Sequence, residues 1–328
     1  MKLQHIIGVD LSKESLDFLS HERNTYLKVE NSNAGFRQLL KWLREQKINC
    51  SDVMIVMEHT GLYSYHLEIF LHKHHIAFAK VSALAIKKSL GLVRGKNDKV
   101  DAKRIARYGF EKKDVLLPEP DPDKLLQRLK LLHSGRQRLV RLRTSLKSAA
   151  TELRIIVGAS DLIITSHRRL IKDLTDQIKR IELEIKKVRS EHTSISFNTR
   201  LLQSVKCVGE VVSTATIIRT HNFTRFPNGR KFSCYCGTAP FEHSSGKSIR
   251  GKTKISHLAD KEMKTLLDRC ACSAIQYDKE LKAFYERRLA MGKSKQSTIN
   301  IVRNKIIYRM FAVIKRQTPF IENYLKTA

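Results

Sequence analysis

No run of 18 apolar residues occurs in the chain, so a membrane-spanning helix is not expected. The opening residues Met1-Lys2-Leu3-Gln4-His5 lack the apolar core of a signal peptide and lead directly into a strand-like run. A cytosolic protein is therefore expected. Cysteine is scarce, at 6 of 328 residues, and in that compartment Cys50, Cys207, Cys234, Cys236, Cys270 and Cys272 should be reduced. Two Cys-x-Cys pairs invite a zinc reading, but zinc ligands more often come two to four residues apart. Cys270 and Cys272 also fall in a helical pattern, where such neighbours point to different sides. Small buried hydrophobes are the better expectation. Acidic residues are few as well: 32 Asp and Glu stand against 62 Lys and Arg, giving a formal net charge of +30.

That imbalance points to a polyanionic partner. A membrane surface would attract the charge, but 41% hydrophobic content with mixed periodicities describes a folded protein, which favours nucleic acid. The excess is uneven, +6 over residues 1–120 and +24 over residues 121–328. At this length two or three domains are expected.

Within the less basic part, four carboxylates stand out. Ile6-Ile7-Gly8-Val9 precedes Asp10, and Val53-Met54-Ile55-Val56-Met57 precedes Glu58. Both runs read as central strands covered on two faces. Asp98 and Asp101 lie one turn apart at the start of a predicted helix and share a face. Acids at strand ends with a helix-borne pair can gather hard oxygen ligands for Mg²⁺, and a pair of such ions is the usual apparatus for in-line phosphodiester cleavage.

Residues 1–115 alternate strands and helices. Leu16-Asp17-Phe18-Leu19 and Tyr26-Leu27-Lys28-Val29 read as returning strands. Asn33 is a candidate cap for a helix over Phe36, Leu39, Leu40 and Leu43. A helix over 63–74 and a strand over 76–81 follow. The stretch 91–96 reads as a mobile link that lets Asp98 and Asp101 close on DNA. Leu117-Pro118-Glu119-Pro120-Asp121-Pro122-Asp123 then breaks the chain, since three prolines in five residues end any helix. Beyond it two long helices are predicted. In the second, Ile171, Leu174, Ile178, Ile181, Ile185 and Val188 keep a heptad spacing. An intramolecular hairpin explains that seam; a dimerising coiled coil does so too, and is favoured because cutting two strands calls for paired active sites. The expected division is 1–120, 121–195 and 196–328. The last part reads as helix, tight turn at Gly209 and helix, then amphipathic helices over 258–289 and 296–316. The last of these is expected to display Arg303, Lys305, Arg309, Lys315 and Arg316.

Between these helices, the run from His243 through Ser244, Ser245, Gly246, Lys247, Ser248, Ile249, Arg250 and Gly251 to Lys252 and Lys254 reads as a flexible loop. Its cations, Lys247, Arg250, Lys252 and Lys254, suit phosphate. A surface loop touching DNA backbone is one reading; a serine nucleophile attacking phosphorus beside those cations is the other. No Gly-x-Ser-x-Gly elbow appears there, which argues against acyl transfer.

Gly8-Val9-Asp10-Leu11-Ser12-Lys13 with Leu16-Asp17, Glu58-His59-Thr60-Gly61-Leu62-Tyr63, Asn97-Asp98-Lys99-Val100-Asp101-Ala102 and the segment from Pro240 to Gly251 together resemble, in order and spacing, the motifs of the DEDD transposases of insertion sequences. Piv-like DNA invertases are related to that family. The resemblance implies an RNase H-like (RuvC-like) α/β domain carrying the tetrad Asp10, Glu58, Asp98 and Asp101, a helical coiled-coil connector and a mainly α C-terminal domain. It implies Mg²⁺, or Mn²⁺ in its place, on the tetrad. Position before Gly246 implies Ser245 as nucleophile, with Ser244 beside it as the alternative. The implied activity is cleavage, exchange and rejoining of donor and target DNA by a homo-oligomer, a dimer or a tetramer on DNA, at the bacterial nucleoid. Some members are guided by a noncoding bridge RNA; a guide-free invertase and a RuvC-like endonuclease are the alternatives. One departure is visible: the family's Pro-Gly-x-Gly turn stands here as Lys206-Cys207-Val208-Gly209.

Overall fold

Alternating strands and helices give way to a mainly helical chain at the proline-rich break, and a computed structural model divides the chain there into two compact units, Met1–Asp121 and Pro122–Ala328. It describes residues 4–59, 61–89, 91, 95, 97–121, 123–245 and 249–322.

The first unit is built on a five-stranded sheet. β1 (His5–Leu11), β2 (Ser15–Ser20) and β3 (Tyr26–Glu30) form an antiparallel meander; β4 (Val53–Glu58) and β5 (Ala77–Val81) add in parallel on the other side, in the order β3-β2-β1-β4-β5. Side chains alternate across the sheet. Ile7, Val9, Leu11, Phe18, Ile55 and Met57 pack under α1 (Asn33–Glu45) and α2 (Tyr65–Lys73). Ile6, Leu19, Met54 and Val56 lie on the opposite face, with α3 (Ala83–Ser89) and α4 (Asp98–Glu111). Coverage on both faces explains why β1 and β4 read as continuous apolar runs. The cap of α1 is Ser32, not the expected Asn33: the Ser32 hydroxyl accepts from the Gly35 amide, and Asn33 is the first helical residue.

The second unit begins with α5 (Lys124–Leu153) and α6 (Leu162–Ser190). Arg136 Nη2 lies 2.7 Å from Glu182, and Arg143 bonds Thr175, so the pair runs antiparallel. The heptad seam thus serves an intramolecular hairpin. Its inner end, with Leu129, Ile185 and Val188, joins the core of the following helices. At the far end Leu142, Ile155, Ile156, Leu162, Ile163 and Leu170 are exposed.

The remaining elements are α7 (Thr193–Ser204), α8 (Glu210–Thr220), α9 (Gly229–Tyr235), a hairpin of β6 (Pro240–Ser245) and β7 (Ile249–Ile255), then α10 (Lys261–Tyr277), α11 (Lys279–Ala290) and α12 (Lys295–Arg316). The single helix expected over 258–289 is two, because Asp278 ends α10 and caps α11 by accepting from the Leu281 amide. Arg303 and Arg309 are not displayed. Arg303 is buried against Asp268, and Arg309 lies 2.6 Å from both Asp278 and Glu280. Cys236 and Cys270 are buried in this core, and no metal-holding group of three Cys, His, Asp or Glu forms among the described residues.

Candidate active site

Val9 of β1 faces Met57 of β4, so Asp10 and Glu58, the next residue on each strand, sit at the same end of neighbouring parallel strands. Asp10 shares a face with Gly8, the face covered by α4. Gly8 permits that cover: a Cβ there would fall 2.2 Å from the Ala106 nitrogen and 2.3 Å from the Ala102 oxygen. Gly109 allows a second close approach, since its Cβ would lie 2.7 Å from Ile6 and Val56 methyls. Backbone-to-backbone packing thus fixes α4 against β1. Its first turn carries Asp98 and Asp101, and Asn97 caps it by accepting from the Val100 amide at 2.8 Å.

Negative charge is crowded here. Burial raises the Asp10 pKa to about 6, and the carboxylates of Asp101 and Asp98 add to the effect; the Leu11 amide, 3.1 Å away, opposes it. Side-chain cations answer the helix-borne acids. Arg104 lies 2.7 Å from Asp101 and also donates to the Gly95 carbonyl; Lys28 lies 3.6 Å from Asp98. Lys28 is also 3.7 Å from Asp17, a buried acid opposite Asp10 in the β1–β2 register. The Tyr26 hydroxyl donates to Asp17, and burial together with Asp17 and Asp98 pushes the Tyr26 pKa up to about 12. In the sequence, Asp17 stands with Leu16 in the opening motif but has no part in the tetrad. Its signal was a lone carboxylate inside the apolar run Leu16-Asp17-Phe18-Leu19.

The donor set is all oxygen, which suits a hard divalent cation, and the mutual repulsion felt by Asp10 is what such a cation relieves. With Arg104 on Asp101 and Lys28 on Asp98, no three acids among the described residues stand in ligating geometry. The residues fit a divalent cation by the chemistry of their donor atoms.

The serine segment is a two-stranded hairpin instead of the expected loop. Ser244 pairs with Arg250 and Ser245 with Ile249, with a register shift between Phe241 and His243. Phe241, Ile249, Thr253 and Ile255 supply the strand-forming residues. Lys247 lies outside the described residues, as does the rest of 246–248; Arg250 and Lys252 are on β7, and Lys254 is exposed. The root of β6 is clamped from α12: Asn300 and Asn304 both donate to the Thr238 carbonyl, at 2.8 and 2.9 Å, and the Thr238 hydroxyl donates to Asn304. Beyond β7, Asp260 accepts from Tyr235 and Arg219 at 3.0 and 2.9 Å, and Glu262 takes Arg219 and His133. Where the family turn has its first glycine, Cys207 adopts the left-handed conformation, φ 67°, a position glycine occupies more cheaply.

Residues 7–157 match the profile of the IS110-type DEDD transposases, and residues 199–286 match that of the IS116/IS110/IS902 transposase family. The chain belongs to the IS110 family of transposases. It is similar along nearly its whole length to the pilin gene-inverting proteins of Moraxella lacunata and Moraxella bovis, with 26% identity over 323 residues, covering 96% of this chain and 97% of each relative. Family and relatives together make it a DNA transposase or recombinase. No helix among the described residues is long and apolar enough to cross a membrane.

Proposed function

We propose that the chain is a bridge-RNA-guided recombinase that moves its own insertion element through Ser245 and the tetrad Asp10, Glu58, Asp98 and Asp101. The observation that carries this reading is the approach of the helix-borne Asp98 and Asp101 to Asp10, which ends β1 beside Glu58 at the end of the parallel strand β4; the raised pKa of Asp10 registers that approach. The strand order, with an antiparallel meander extended in parallel by β4 and β5, supports an RNase H-like first unit. Mg²⁺, or Mn²⁺ in its place, held by the tetrad would supply charge neutralisation at the scissile phosphate. Ser245 Oγ forms a bond to phosphorus, the bond from phosphorus to the leaving sugar oxygen breaks, and the serine proton ends on that oxygen. Attack by the free hydroxyl of the partner strand reverses the step and releases the serine. Lys247, Arg250, Lys252 and Lys254 hold the phosphates beside it. A dimer, paired into a tetramer on DNA, cuts both duplexes.

A trapped covalent protein–DNA adduct tests the chemistry: the wild type forms it, and Ser245→Ala loses it with a fall of at least ~10³-fold in strand cleavage. Cleavage that survives Ser245→Ala without an adduct points to a plain endonuclease, with Ser245 a mere contact. Sequencing the RNA that copurifies from the native host tests the guide, which requires one discrete structured species. Heterogeneous RNA favours the second reading, a guide-free site-specific invertase, to which the names of the two gene-inverting relatives point.

A further inference from the structure

On the sheet face opposite α4, the outer surfaces of α1 and α2 enclose an open groove of about 720 Å³. Arg37 and Arg44 border it from α1; His66, Lys73 and His74 border it from α2. The two helices repeat one pattern. Arg37 and Arg44 are seven residues apart with Leu40 between, and His66 and Lys73 are seven apart with Ile69 and Phe70 between. Two helical turns put the members of each pair about 10 Å apart on one face. The floor between them is apolar and partly aromatic: Ile69 is 46% exposed, Leu40 and Phe70 are half-buried, and the Phe70 ring lies 4.4 Å from that of His74. Among the described residues no acid lines the groove, and no carboxylate pairs with Arg37, Arg44 or Lys73.

Cation rims over an apolar, aromatic floor are the physical requirements of a single strand, whose backbone tracks the charge while its bases lie on the floor. A duplex keeps its bases stacked inside and gains nothing from such a floor. We infer that this groove is a second nucleic-acid site, taking single-stranded DNA of the kind that cutting and exchanging strands releases. Strand alternation separates it from the tetrad: Asp10 faces α4, and Val9 and Leu11 face α1 and α2. The inference rests on membership of a DNA-recombining family and not on the assignment of Ser245 or the tetrad, so Ser245→Ala adduct assays and the experiment below fail independently.

The test uses the full chain with a fluorescein-labelled oligothymidylate of about 20 nucleotides, longer than the usual site of one binding fold. Arg37→Ala/Arg44→Ala/Lys73→Ala, all exposed positions, is expected to weaken its binding by about tenfold or more. The slope of log affinity against log salt should fall by about 2, the value for three lost single-strand phosphate contacts. Affinity for a duplex of equal length should stay within about twofold. Photocrosslinks from 4-thiothymidine should map to residues 66–74 in the wild type and vanish in the triple variant. Ile69→Ala should cost a few-fold with the salt slope unchanged. Equal losses for duplex and single strand, crosslinks confined to residues 122–328, or a loss seen only with oligouridylate would overturn the inference.

Discussion

The two units hold their chemistry-bearing residues in place by opposite means. In the first, position comes from absent side chains: Gly8 and Gly109 let α4 lie directly on β1 and β4, and the acids follow from where that helix begins. In the second, position comes from polar side chains: Asn300 and Asn304 grip Thr238, while Arg219, Tyr235 and His133 hold Asp260 and Glu262 around the hairpin roots. Steric contact is short-ranged and unforgiving, so the first unit tolerates little change at its glycines. A hydrogen-bonded clamp is shared among several groups, so losing one weakens it by degrees.

Gly8→Ala tests the first half of this contrast and carries the largest expected effect. The new methyl meets backbone that cannot move aside, at a cost of about 3 kcal/mol, and hydrogen exchange should show α4 and β1 losing protection while α12 keeps it. Next comes Asn304→Ala. It removes the closer acceptor of the Thr238 hydroxyl, leaving the Ser233 carbonyl at 3.3 Å, and keeps the Asn300 bond, so about 1 kcal/mol should be lost, read as faster exchange in α9 and the β6 root. If both variants cost the same and loosen the same segments, the contrast is wrong.

The smallest effect concerns Asp10→Asn. The folded-state pKa of Asp10, about 6, lies above its ordinary value of 3.8, so the folded form keeps a proton that the unfolded form releases. Stability therefore falls as pH rises from about 4 to 6 and stays lowered above that. Discounted for a group half open to solvent, the fall is about 1 kcal/mol. Asp10→Asn should remove that pH dependence and melt slightly higher than the wild type at pH 7, although strand cleavage is lost. Added Mg²⁺ should narrow the gap by stabilising the wild type alone.

Much of the first unit was legible because its signals are local. Apolar runs ending in Asp10 and Glu58 mark buried strands, and the spacing of Asp98 and Asp101 marks a helix start, here with a true cap at Asn97. The Asp17–Tyr26–Lys28 cluster was not legible, because its members meet only through the antiparallel register of three strands. Arg303 looked like a surface cation since its partner, Asp268, lies 35 residues away on another helix. The serine hairpin was hidden by composition: serine, glycine and lysine carry little strand preference, and the two strands are defined by a backbone register that composition does not reveal.

The exposed apolar end of the α5–α6 hairpin has a colloidal consequence. A net charge of +30 keeps free molecules apart at low ionic strength, since each repels its neighbours well beyond contact distance. At 0.1 M salt that repulsion reaches only about 10 Å, and Leu142, Ile155, Ile156 and Leu162 can then meet their counterparts on other molecules. Salt that loosens the protein's hold on nucleic acid thus favours its hold on itself.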